Sequence, residues 1–171
     1  MSPSRTLAER FRTQRTDRIR VDGNEVVSVV DLILEPTSAV ELAVESQRDD
    51  VEQLFSIRSR TRDVRAVGEE FDEIYDAPVE LIQVRAKNTT TVELVGSDAS
   101  DTLLQLWNGW RIDTTDHSWT GNSGIVVEDL TPPEGAKLRF RMWCSDGLGD
   151  PSFDDLVLIV TVGDRIPQNE R

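Results

Sequence analysis

The chain has 171 residues, 32 of them acidic and 19 basic, for a formal net charge of -13 at pH 7. That length fills one core and leaves no room for two large domains. The acid excess excludes duplex DNA as a general partner, because a face that displaces counterions from phosphates needs clustered Lys and Arg.

Of the 19 basic residues only Lys87 and Lys137 are lysines. A surface this acidic and this poor in lysine resembles that of cytoplasmic proteins from salt-accumulating archaea and their viruses. In dilute buffer such a surface repels itself, whereas molar salt shortens the Debye length to about 3 Å and removes most of the repulsion. A GC-rich genome alone would explain arginine over lysine and leave the acid excess unexplained. Cys144 is the single cysteine and has no partner for an internal disulfide. The first residues hold no apolar run of signal-peptide type, so synthesis in the cytoplasm without a signal peptide is expected. No stretch approaches the ~18 apolar residues of a membrane-spanning helix.

Residues 1–20 read as a basic N-terminal arm, in which Arg5, Arg10, Arg12, Arg15, Arg18 and Arg20 face only Glu9 and Asp17. Leu7 and Phe11 give a short helix only a thin apolar stripe, so the arm is expected to order on contact. Residues 21–165 then read as one β domain and 166–171 as a tail. Glu25 to Leu34 is rich in Val, Leu and Ile, and Pro36-Thr37-Ser38 marks a turn. Val40, Leu42 and Val44 alternate with Glu41, Ala43 and Glu45, the pattern of a sheet with one wet face. Ser46 to Leu54 predicts a short helix capped by Ser46, with Asp49 and Asp50 near its positive end.

Phe55, Ile57, Val64 and Ala66 resume the alternation through Arg58, Arg60, Arg62 and Arg65, and Gly68 to Asp76 is an acidic connection. Val79 to Ala86 and Thr89 to Val95 predict a hairpin with its tip at Lys87-Asn88. Asn88-Thr89-Thr90 also matches a glycosylation sequon and reads as a turn. Leu103 to Trp107 meets Asn108-Gly109, a strong two-residue hairpin signal, with Trp110 to Thr114 leaving on the other side. Gly121 to Gly124 is a loop, Ile125 to Glu128 a strand, and Thr131 to Gly135 a rigid connection. Lys137 to Cys144 and Leu156 to Val162 form the last pair. About ten short strands at even spacing predict an all-β antiparallel β-sandwich, jelly-roll first and immunoglobulin-like second.

Chemistry-bearing residues are sparse. His117, the one histidine, lies between acids in Asp113-Thr114-Thr115-Asp116-His117-Ser118, but no nucleophile elbow or oxyanion signature accompanies it. Cys144 falls mid-strand and reads as a packed apolar side chain. One His and one Cys are too few for a transition-metal centre. Asp146, Asp150, Asp154 and Asp155 share one loop and are weak candidates for a hard cation, without EF-hand spacing. No phosphate loop or dinucleotide fingerprint occurs, so no catalytic residue is assigned and no cofactor is expected. Trp107, Trp110 and Trp119 cluster along the chain as a candidate ligand or partner contact, and exposure of Trp119 would favour a binding module.

Leu138, Phe140 and Met142 run into Cys144-Ser145-Asp146-Gly147, and Leu156 to Asp164 closes the chain's last strand. This resembles the final two strands of PKD and cadherin-like immunoglobulin-like domains. The insertion Asp150-Pro151-Ser152-Phe153 departs from the tight turn of that family. The basic arm, sandwich and acidic surface together resemble small capsid and accessory structural proteins of haloarchaeal viruses.

That second resemblance implies a non-enzymatic structural subunit, incorporated into a virion. Its partners would be copies of itself and other structural subunits, with no sequence-specific nucleic acid. Arg5, Arg10, Phe11, Arg12, Arg15, Arg18 and Arg20 would tether neighbours. The alternative is a monomeric module that binds a glycan or protein through the Trp107 to Trp119 region. Either way, the melting temperature should rise steeply from dilute buffer to molar salt, and a melting curve indifferent to salt would overturn the high-salt assignment.

Overall fold

The computed structural model describes residues 5–59, 65–67, 81–87, 91–96 and 99–164. Helix α1 (Leu7–Gln14) is followed by β1 (Arg18–Val21), β2 (Asn24–Val27), β3 (Val30–Leu34), β4 (Ser38–Gln47) and β5 (Glu52–Ser59). After these come β6 (Arg65–Val67), β7 (Leu81–Ala86), β8 (Thr91–Val95), β9 (Thr102–Ile112) and β10 (Thr115–His117). The chain closes with β11 (Gly124–Leu130), β12 (Ala136–Ser145) and β13 (Leu156–Asp164).

Two antiparallel sheets pack face to face as an all-β sandwich. The larger has the order β1-β2-β11-β12-β13-β4-β8-β6, and the smaller β10-β9-β5-β7, with β3 also paired to β9. Alternation decides what each strand buries. Val40, Leu42, Val44, Phe140, Met142, Leu158 and Val160 line one inner face; Phe55, Ile57, Val84, Leu104 and Leu106 line the other. The predicted last pair is present, with Cys144 opposite Leu156 and Phe140 opposite Val160. Among the described residues no helix is long and apolar enough to cross a membrane.

Four expectations are corrected. The arm is folded onto the body, and a boundary at residue 20 would cut through β1. Leu7, Ile19 and Val26 bury one another, with Phe11, Val21, Val126 and Phe153 packed around them. This second core lies on the outer face of the larger sheet, because Val27 and Ile125 take the inner positions. Asp22-Gly23, both at positive φ, makes the tight turn that doubles β1 back on β2, and it is the kind of dipeptide that such a turn demands. Thr6 and Glu9 form a reciprocal capping box at the start of α1, which satisfies donors that the helix leaves open.

The helix expected over 46–54 is absent: β4 runs to Gln47 and β5 starts at Glu52. Leu54, Phe55 and Ile57 are all buried, and the short connection is held by Arg48 gripping Asp50 at 2.7 and 2.6 Å. The expected hairpin of 79–95 is also absent. Strand β7 pairs with β5 in the smaller sheet, and β8 with β4 and β6 in the larger. Alternation specifies a strand and its buried face but carries no information on its partner. Asn88 of the expected Lys87-Asn88 tip and the sequon at 88–90 lie outside the described residues, as do residues 60–64, 68–80 and the tail 166–171.

Asn108-Gly109 is no turn. Both lie inside β9, opposite Phe55 and Leu54 of β5. The turn falls at Asp113-Thr114, where Asp113 has φ 56. Asn108 is buried and donates its amide to the Ser145 carbonyl at 3.0 Å, tying the two sheets together. Gly109 is needed because the chain leaving β10 crosses over it: an added Cβ would meet the His117 carbonyl oxygen at 2.7 Å. Gly109→Ala should therefore cost about 2 kcal/mol in urea unfolding. Gly23→Asn, at a true left-handed turn, should cost well under ~1 kcal/mol.

Candidate functional site

Two loops and the start of α1 meet at one end of the sandwich. The segment 118–123, between β10 and β11, lies against 146–155, between β12 and β13. Gly121 (φ +57) sits so close to Gly147 that a Cβ would fall 2.2 Å from the Gly147 carbonyl oxygen. Gly147 is packed in turn against the Trp110 ring and the Thr120 carbonyl. Asn122 donates to the Gly149 carbonyl at 2.7 Å and accepts from the Leu7 backbone at 3.1 Å. The Ala8 backbone donates to the Gly121 carbonyl at 3.0 Å. The start of α1 is thereby attached to the loop that carries Trp119.

Between α1 and that loop runs an open groove of about 670 Å³. Phe11, Arg12, Arg15 and Asp17 form one wall and Trp119, Ser28 and Ser123 the other. This volume falls within the ~300–1,000 Å³ of small-ligand sites. Two sets of residues that the sequence separates by a hundred positions thus share one cavity.

Trp119 is fixed in three ways. Its ring lies 4.9 Å from that of Trp107 at 31°. Its indole N–H donates to the Ser28 carbonyl at 3.0 Å. Its backbone has φ 58, a left-handed conformation that a bulky side chain adopts only when its surroundings impose it. Even so the residue is 44% exposed. Trp107, by contrast, is 6% exposed and carries the Arg58 guanidinium 5.6 Å from its ring centroid. Trp110 is 2% exposed and stacks on His117 at 6.0 Å. The three tryptophans therefore divide into one surface plate and two packing residues.

The arm arginines divide as well. Arg10 donates to the Arg20 carbonyl, Arg20 to the Gly23 carbonyl, and Arg18 pairs with Glu25 at 2.7 Å. These three brace the helix and its hairpin. Arg12 and Arg15 line the groove and are exposed, with no ion pair among the described residues. Arg5 is exposed at the start of the described chain.

The acidic loop is organised around an arginine. Asp146 is fully buried; it accepts from Arg48 at 3.1 Å, from the Gln53 amide at 3.0 Å and from the Leu148 backbone at 3.0 Å. Asp155 accepts from the Asp146 backbone at 2.9 Å and lies 3.8 Å from Arg48. Asp150 and Asp154 are exposed, and Asp154 accepts from the Ser152 hydroxyl. Among the described residues no three His, Cys, Asp or Glu side chains are grouped to hold a metal ion. In place of the cation expected at Asp146, Asp150, Asp154 and Asp155, a half-buried Arg48 bridges Asp146 and Asp155, and its donors with that of Gln53 take up a carboxylate oxygen of Asp146 that a cation would need.

The remaining candidates are engaged structurally. His117 lies in β10, and Asp116 beside it is tied to Arg111 at 2.5 Å. Burial pushes the Cys144 thiol far above its usual range, which leaves it protonated and unreactive. No protein-family model, characterised protein or solved structure matches the chain.

Burial pushes the Asp155 carboxyl up to about 6, and the neighbouring Asp146 charge adds to the shift. The folded chain then holds this proton more tightly than the unfolded one. Stability from this group is greatest in acid and falls as pH rises from about 4 to 6. Asp50, Asp116 and Glu128 act oppositely: hydrogen bonds from Arg48, Arg111 and Arg141 hold them below the usual range, so their contribution is lost as pH falls. Asp155→Asn keeps an acceptor for the Asp146 backbone. In thermal melts from pH 4 to 7 it should remove the decline toward neutral pH and leave the variant at least as stable as wild type at pH 7.

Proposed function

We propose that the chain is a non-enzymatic β-sandwich binding module of a high-salt system, which takes its ligand in the groove between α1 and the 118–123 loop. Trp119 is the observation that carries this reading. A large aromatic held in an unfavourable backbone conformation, braced by a second tryptophan and by the Ser28 carbonyl, still keeps its ring exposed at the groove. A rigid aromatic lowers the entropy that binding must overcome. The non-enzymatic part rests on the engagement of His117, Asp116 and Cys144 in packing and ion pairs.

Folding of the arm onto its own chain weakens its role as a tether between copies. One observation still favours a structural subunit of a virion or similar assembly: Ile33 and Leu81 stand 63% and 55% exposed on the outer face of the smaller sheet. Surfaces of that kind mark contacts between chains when they are contiguous.

Absolute mass by light scattering separates the two. The binding module should give the single-chain mass of 19.3 kDa in molar salt and after dilution. A defined oligomer in molar salt that Ile33→Glu and Leu81→Glu dissolve would overturn the module in favour of an assembly subunit.

A further inference from the structure

The groove carries enough chemistry to name a ligand class, on the reading that it is a binding site. We infer that it recognises an acidic sugar, a pyranose bearing a carboxylate, held as part of a glycan.

Trp119 offers a flat apolar plate and nothing else, because its one polar group is already committed to the Ser28 carbonyl. Such a plate suits the C–H face of a sugar ring. Arg12 and Arg15 project from the end of α1 and the turn beyond it, exposed and without an ion pair among the described residues. A planar guanidinium matches a carboxylate with two parallel hydrogen bonds. Such a contact pair in a groove survives salt that screens anything beyond about 3 Å. Thr16, Ser28, Ser123 and Asp17 also line the groove, the Thr16 hydroxyl accepting from the Arg18 backbone at 3.1 Å. Donors and acceptors spread around an aromatic plate are what a polyhydroxylated ring requires.

Competing ligands fit less well. A peptide bound by strand addition gains most of its affinity by pairing with a strand edge. Yet every lining residue lies in α1 or in a connection: 15–17 before β1, Ser28 between β2 and β3, and Trp119 and Ser123 between β10 and β11. A nucleotide would stack equally well on Trp119, but its phosphate, with more than one negative charge, would face the Asp17 carboxylate within the groove. A single carboxylate per sugar meets less of that repulsion.

Calorimetric titration of the full chain in molar salt tests this with four probes: oligogalacturonate, a neutral galactan oligosaccharide, oligoglutamate and adenosine monophosphate. Oligogalacturonate should bind, with the neutral oligosaccharide about tenfold or more weaker. The double variant Arg12→Gln with Arg15→Gln should erase that difference, and Trp119→Ala should weaken both sugars. The arginine variant changes only exposed side chains, so it remains informative even where Trp119→Ala disturbs its loop. Equal binding of both sugars, lost in Trp119→Ala, would overturn the acidic class and leave the binding groove standing. Tighter binding of oligoglutamate or the nucleotide would overturn the sugar assignment. Absence of binding by all four probes would overturn the inference, and joined to an oligomer in light scattering it would remove the binding-module reading too.

Discussion

The buried carboxylate of Asp146 is the point on which the functional end of the sandwich depends. A charge withdrawn from water is tolerable only with a full set of donors. Asp146 finds them in Arg48, Gln53 and the Leu148 backbone. Those bonds join the β4–β5 connection to the β12–β13 loop and fix where Gly147 lies. Gly121 rests on Gly147, Asn122 bonds to Gly149, and the backbone of α1 bonds to Gly121 and Asn122. One buried charge thereby sets the position of a helix that it does not touch, and with it one wall of the groove.

Glycine has a distinct task in this arrangement. Gly109, Gly121, Gly124 and Gly147 stand where two pieces of chain approach more closely than a Cβ permits. At Gly124 an added Cβ would meet Val26 at 2.6 Å and Leu7 at 3.2 Å, so the absence of a side chain is what seats α1 on the sheet. These positions let connections stack upon one another with little free volume. The Trp107–Trp119 pair and the strained backbone at Trp119 are held by that stacking.

In the proposed high-salt setting the acidic surface and the groove would meet different electrostatic regimes. Molar salt removes long-range attraction and repulsion alike, so a protein adapted to it cannot rely on steering. What persists is contact chemistry: an aromatic plate, a bidentate guanidinium, a hydrogen bond. On the proposed reading Arg12 and Arg15 act at contact range beside a strongly acidic body, whereas Arg10 and Arg20 are committed to backbone carbonyls and Arg18 to Glu25 at the surface.

Much of the architecture was written in local patterns. The alternation of Val40, Leu42 and Val44, the β-branched run of Leu156 to Val162 and the turn residues between strands determined an antiparallel sandwich, because period two is a property of each strand alone. The charge and the shortage of lysine were equally local facts. The sequence also singled out Trp119 and the basic N-terminal residues, but as two unrelated features. Only tertiary structure decided that they share a groove, that β7 and β8 belong to different sheets, and that Asn108-Gly109 lies within a strand rather than at its end. Each of those depends on contacts between residues far apart in the chain. Gly109 reads as a turn until a distant loop is found crossing it, and Asp146 reads as a cation ligand until Arg48 is found at its oxygens. A pattern of residue types specifies which face is buried; it does not specify what buries it.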